Sequence, residues 1–97
     1  MAHFIARVEL KGDPPRQLYE KLHALMAEVG FVQTITGTHI DTEQYIESAL
    51  PHATYYGTST LETEMLKESL ANRIRKSIQP KIDILVVRFD QWATAND

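Results

Sequence analysis

The chain has 97 residues, of which 43% are hydrophobic and 24% charged, and its net charge is −3. These values predict one globular domain over residues 1–97 and exclude a largely disordered chain. The absence of cysteine excludes disulfides and thiolate metal sites. No apolar run suits a membrane span or a signal peptide, so we expect a cytoplasmic protein.

The first predicted element is a strand over residues 3–10, HFIARVEL. Every second residue from Phe4 to Leu10 is apolar, whereas Arg7 and Glu9 belong to the opposite face. A strand with one continuous apolar face is half-buried in a sheet. We expect the face that carries Arg7 and Glu9 to be hydrated or to form an interface.

A helix is predicted over residues 14–29, because apolar residues recur there at intervals of three and four. Asp13 is expected to cap this helix, with Pro14 at its first position. Gly30 supplies the left-handed residue at which such a helix ends. His23 lies within the helix and is expected at the surface.

Two further strands are predicted over residues 31–37 and 53–59, and they are expected to pair. Gly57 in the later strand indicates a bulge or a close backbone approach. The connection over residues 38–52 allows a long loop, an extension of both strands, or a short helix over residues 42–50. We favour a mobile hairpin extension.

The second helix is predicted from a capping box formed by Ser59 and Glu62. Its apolar stripe begins at Leu61 and continues to about Ser77. The last strand, over residues 81–89, contains the run ILVV, which is apolar on both faces. Such a strand requires cover on both sides.

This order of elements predicts an α+β fold of the ferredoxin-like βαββαβ type. Right-handed crossovers place both helices on one face of a four-stranded antiparallel sheet with the order 4-1-3-2. The other face remains open. Because that face carries apolar residues, we expect a homodimer.

Two motifs link the chain to a known family. They are L-x-x-L-M-x-x-x-G-F, from Leu22 to Phe31, and LP-x-A-x-Y, from Leu50 to Tyr55. Over roughly residues 4–90 the chain resembles small bacterial ferredoxin-like proteins named after the GhoS-type endoribonuclease antitoxin of type V toxin–antitoxin systems. The resemblance implies binding or cleavage of RNA that silences a toxin message. The family is similar in fold to the small nuclease of CRISPR adaptation, which implies a dimer and an acidic residue at the end of strand one.

Glu9 is the nearest match to that acidic position and is therefore the candidate catalytic residue. Together with Asp13, and with Glu9 of the partner subunit across a two-fold axis, it is expected to hold Mg²⁺ or Mn²⁺, which would activate water against a phosphodiester. In the alternative interpretation, Glu9 pairs with Arg7 or Arg88 and Asp13 only caps the helix. A second hypothesis places a metal between two histidines of the hairpin, with an aspartate nearby, namely His39, His52 and Asp41. No small-molecule cofactor is evident.

Single-stranded RNA is the expected partner, and an acidic chain requires a local basic patch to bind it. Cations cluster at the end of the second helix, where they also suit the helix dipole. Arg7 and Arg88 are expected to extend this patch across the open face. Tyr55 and Tyr56 alternate, so one is core and Tyr56 is the candidate base platform or dimer contact. The candidate RNA-binding residues are Arg7, Tyr56, Arg73, Arg75, Lys76 and Arg88.

The expected function is therefore that of an RNA-directed antitoxin-like protein, with metal-dependent endoribonuclease activity as the catalytic hypothesis. The alternative is a non-enzymatic module for protein interaction or homodimerisation. The acidic net charge and the lack of a self-sufficient catalytic motif favour this alternative. No membrane partner is expected.

Overall fold

The computed structural model describes residues 1–38 and 45–93. Within them no helix combines the length and apolar character needed to cross a membrane. The elements alternate between strands and helices, with a hairpin inserted after the first helix. In chain order they are β1 (Ala2–Leu10), α1 (Arg16–Glu28), β2 (Thr34–Thr38), β3 (Tyr45–Ala49), β4 (Thr54–Ser59), α2 (Thr63–Ser77) and β5 (Ile82–Phe89).

Three strands form the main sheet in the order β4-β1-β5, and both pairings are antiparallel. Ile5 of β1 lies opposite Tyr56 on one side and opposite Val87 on the other. Residues that are directly opposed share a face of the sheet. The register therefore determines which side chains meet on each face.

The hairpin of β2 and β3 forms a separate two-stranded sheet. Two residues before β2, Val32 forms an isolated bridge with Tyr56 of β4, through hydrogen bonds of 2.9 and 2.7 Å. The predicted four-stranded sheet is thus formed only in part. The hairpin extension is confirmed, and a helix over residues 42–50 is wrong because residues 45–49 form β3. Residues 39–44 of the predicted connection lie outside the described part of the chain.

Phe31 determines how the chain passes from α1 to the hairpin. Gly30, with φ +86°, ends the helix as predicted. The buried Phe31 ring then lies against Gly57, where an added Cβ would stand 2.8 Å from three ring atoms. Gly57 is therefore approached by a buried side-chain ring rather than by backbone, and its regular pairing with Phe4 shows no bulge at this position.

Both predicted helix caps are wrong. Asp13 adopts a φ of 54°, and the extended residue Pro15 separates it from the first turn of α1, which has no side-chain cap. Ser59 is the last residue of β4, and its hydroxyl accepts a hydrogen bond from Leu61 N at 3.1 Å. Because Glu62 is also extended, α2 begins beyond the reach of Ser59.

The hydrophobic core lies between the sheet and the two helices. Alternate residues of β1 contribute to it, from Phe4 at 0% exposed to Leu10 at 3%. The helices bury their apolar stripes against them, as the periodicity predicts. The largest fully buried side chains are Phe4, Leu22, Met26, Phe31, Tyr55 and Ile74.

Candidate nucleic-acid interface

One face of the three-stranded sheet has no helix packed on it among the described residues. Strand alternation and register assign eleven side chains to this surface, which we call the open face. Leu85 is 60% exposed there and Val87 44%, so the described residues of the single chain do not provide the predicted cover on both sides of β5. The residues of the open face are His3, Ile5, Arg7, Glu9, Thr54, Tyr56, Thr58, Asp83, Leu85, Val87 and Phe89.

Aromatic rings gather at one end of the open face. A hydrogen bond of 2.6 Å joins Nδ1 of His3 to the hydroxyl of Tyr56, and the two rings lie 18° from parallel. The Trp92 ring centroid lies 5.0 Å from that of His3 and 5.4 Å from that of Phe89. We call His3, Tyr56, Phe89 and Trp92 the aromatic cluster.

Trp92 extends this cluster towards the hairpin. Its indole Nε1 donates a hydrogen bond to the carbonyl oxygen of Thr36, in β2, at 3.2 Å. The side chain remains 39% exposed. The polar edge of the indole is thus paired while part of its ring remains accessible to solvent.

Tyr56 lies on the open face, as predicted, and Tyr55 is the core tyrosine. The other members of the aromatic cluster were not predicted as site residues. Alternation along each strand would have predicted that His3 shares a face with Ile5 in β1, and that Phe89 shares a face with Val87 in β5. Trp92 lies beyond the last strand, where no periodicity gives its direction.

The predicted basic patch is divided by the fold. Arg7 is exposed on the open face, two residues along β1 from the partner of Tyr56. Arg88 lies opposite Phe4, on the other face of the sheet, so its predicted place on the open face is wrong. Successive side chains of a strand point to opposite faces of the sheet, so Arg88 faces away from the side that carries its neighbour Val87. The cations at the end of α2, which are Arg73, Arg75 and Lys76, are exposed on the helical layer.

The predicted metal residue Glu9 is engaged with a cation of the protein. It lies opposite Asp83, and the Lys11 ammonium is 2.6 Å from Asp83 Oδ2 and 3.7 Å from Glu9 Oε2. The hydrogen bond with Asp83 is the main cause that raises the pKa of Lys11. The partner of Glu9 is thus Lys11, rather than Arg7 or Arg88.

The single chain does not by itself assemble a metal site at Glu9. Asp13 lies in the turn after β1, and no group of three or more His, Cys, Asp or Glu side chains within residues 1–38 and 45–93 is arranged to hold a metal ion. Because Mg²⁺ can be held by one or two carboxylates together with water and phosphate oxygens, a site at Glu9 stays a prediction. The predicted partners of His52 in a second metal site, His39 and Asp41, lie outside the described part of the chain.

An open cavity of about 370 Å³ lies at the end of β1 furthest from the aromatic cluster. Arg7 and Glu9 reach it from the open face, while Tyr19 and His52 line it from α1 and from the turn before β4. The fold therefore brings a guanidinium and an imidazole, from distant parts of the sequence, to one cavity.

His52 belongs to a row of rings that continues into the core. Its ring centroid is 4.6 Å from that of Tyr19 and 5.8 Å from that of His23. His23 in turn makes a 2.6 Å hydrogen bond with the hydroxyl of Tyr55. Burial, and then the charge of His52, lower the pKa of His23, which is partly buried rather than at the surface as predicted.

Compared with models of protein families, with curated proteins and with solved structures, the chain matches none.

Proposed function

We propose that this protein binds single-stranded RNA on its open face and acts as an RNA-directed, antitoxin-like protein. The observation that carries the proposal is the aromatic cluster, a set of partly exposed rings on a sheet face that no helix of the described residues covers. Proteins that bind single-stranded RNA stack unpaired bases on such rings, and each stacked base contributes about 1–3 kcal/mol.

The fold that we propose for this role is ferredoxin-like. In that fold the second strand pairs with the third, and the Val32–Tyr56 bridge joins the corresponding segments. Residues 31–33 then take the fourth strand position, and the β2–β3 hairpin is an extension of the sheet edge. The antitoxin resemblance described for residues 4–90 supports the same assignment.

Arg7 supports the proposal because it places a permanent charge beside the rings. The partner of Tyr56 in β1 is Ile5, so Arg7 follows it on the same face at about 7 Å. An arginine at this spacing suits the phosphate next to a stacked base. With one or two phosphates neutralised, the affinity should fall with salt at a slope of only about −0.7 to −1.4 on logarithmic axes.

Homodimerisation through the open face is a second candidate function. Leu85 at 60% and Val87 at 44% exposure form an apolar surface on β5, beside Ile5. Apolar surface of this kind favours contact with another copy of the chain. Light scattering measures this directly, and a strictly monomeric protein would contradict it.

The single tryptophan provides the test of RNA binding. Titration with a short single-stranded RNA should quench the fluorescence of Trp92, since a base stacks on the cluster that contains it. Tyr56→Ala should weaken binding about ten-fold or more. Arg7→Gln should reduce both the affinity and its salt dependence.

Arg16→Gln is the matched control for Arg7→Gln, because Arg16 lies on α1 with a side chain that is 91% exposed. The affinity of the Arg16→Gln variant for RNA should equal that of the wild-type protein. The proposal is wrong if RNA neither quenches Trp92 nor binds in a filter assay at low salt.

A further inference from the structure

We infer that the cavity at the end of β1 cleaves RNA by acid–base chemistry without a metal ion. His52 accepts the proton of a ribose 2′-hydroxyl, and Arg7 binds the phosphate that this hydroxyl attacks. The inference rests on the proposed function, because the aromatic cluster is the surface that delivers RNA to the cavity.

The cavity lies within reach of RNA held by the cluster. His3 and Arg7 are on the same face of β1, four residues apart, which corresponds to about 13 Å. An extended strand of a few nucleotides spans this distance. A base stacked on Tyr56 therefore leaves a neighbouring phosphate close to Arg7 and the cavity that Arg7 lines.

His52 is exposed in the cavity but held in place. Its ring contacts those of Tyr19, at a centroid distance of 4.6 Å, and of His23, at 5.8 Å. The adjacent backbone is anchored as well, because Val8 N donates to the carbonyl oxygen of Ala53 at 3.0 Å. A base catalyst needs this combination of access and fixed orientation.

The charges around the cavity favour acid–base chemistry over metal catalysis. The Lys11 ammonium already lies between the carboxylates of Glu9 and Asp83, where a cation would otherwise bind. Arg7 then remains as the guanidinium that lines the cavity. Its planar donors match the oxygens of a phosphodiester.

The reaction balances without a cofactor because RNA carries its own nucleophile. His52 removes the proton of the 2′-hydroxyl, and the 2′ oxygen forms a bond to the adjacent phosphorus. The bond from phosphorus to the 5′ oxygen breaks, and water protonates that oxygen. The products are a 2′,3′-cyclic phosphate and a 5′-hydroxyl, and His52 returns its proton to solvent.

The test incubates the full chain with end-labelled single-stranded RNA in excess EDTA. We expect cleavage to products that carry 2′,3′-cyclic phosphates. His52→Ala should reduce the rate about 100-fold or more while RNA still quenches Trp92. Free imidazole should restore part of the lost rate, which a purely structural role for His52 would not allow.

Arg7→Gln should slow cleavage, whereas the matched variant Arg16→Gln should cleave like the wild-type protein. RNA binding without cleavage would overturn the inference and leave the proposed function intact. The inference is also overturned if EDTA abolishes cleavage, or if His52→Ala cleaves at the wild-type rate. If RNA does not bind at all, the proposed function and this inference both fail.

Discussion

The molecule contains the same pair of residues twice, once on each face of its sheet. Tyr55 and Tyr56 are neighbours in β4, and each hydroxyl forms a 2.6 Å hydrogen bond with Nδ1 of a histidine. Tyr55 is fully buried beside His23 of α1. Tyr56 is half-buried beside His3, on the open face.

The surroundings give the two pairs different roles. Burial raises the pKa of Tyr55 and lowers that of His23, so both groups are held neutral where they pack against the core. The pair on the open face instead adjoins Phe89 and Trp92, within reach of solvent. We therefore expect substitutions of the buried pair to change stability and those of the open pair to change binding.

The largest difference is expected from truncating each tyrosine. Tyr55→Ala removes a ring that is 0% exposed and should lower the free energy of unfolding by about 3–5 kcal/mol. Tyr56→Ala should cost about 1 kcal/mol, because its ring already contacts solvent, and should mainly weaken RNA binding. Urea denaturation followed by circular dichroism measures both, and equal losses would contradict the division of roles.

Gly57→Ala tests the packing beneath the same strand. The new methyl group would meet the buried Phe31 ring at 2.8 Å, so the substitution should destabilise the fold by about 1–3 kcal/mol. Combining it with Phe31→Leu should give less than the sum of the two single losses, because the smaller side chain relieves the clash. Additive losses in urea denaturation would show that Phe31 is not the obstacle.

The sequence predicted correctly which face a residue occupies where apolar residues recur at a regular interval. Alternation placed Arg7 and Glu9 on the open face, and the stripe of α2 predicted its end at Ser77. These features depend on the spacing of apolar residues along a short segment, and burial of those residues in the core stabilises the same arrangement. The predictions failed where the outcome depends on pairing between distant segments, as in the four-stranded sheet, which forms only in part, or on the face that one residue of a strand occupies, as at Arg88.

The site was less predictable than the fold for the same reason. Arg7 and Tyr56 were found from their strands, but Trp92 gains its place only by contact with Thr36 and the aromatic cluster. The cavity combines Tyr19 with His52, which are 33 residues apart in the chain. No short motif indicates this contact, because it forms only when α1 packs next to the turn before β4.

Removing only the hydroxyl groups compares the contributions of the two tyrosine–histidine hydrogen bonds to stability. Tyr55→Phe should lower the free energy of unfolding by about 1 kcal/mol, because His23 loses its partner within the packed layer. Tyr56→Phe should change stability by less, since water replaces the lost hydroxyl at His3. Thermal and urea denaturation of the two variants should rank them in this order.

The smallest expected effect is the pH dependence that His23 of the buried pair contributes to stability. Because the pKa of His23 in the folded chain is lowered, the unfolded chain binds more protons as the pH falls below about 6.5. His23 should therefore contribute its full stability above pH 6.5, lose it as the pH falls through the folded pKa, and add no further change below. The nearby charges of His52 and Glu20 oppose each other in setting this value. His23→Gln should flatten the difference in urea midpoint between pH 8 and pH 5.5. If this variant keeps the wild-type difference, the acid sensitivity arises from other groups of the chain.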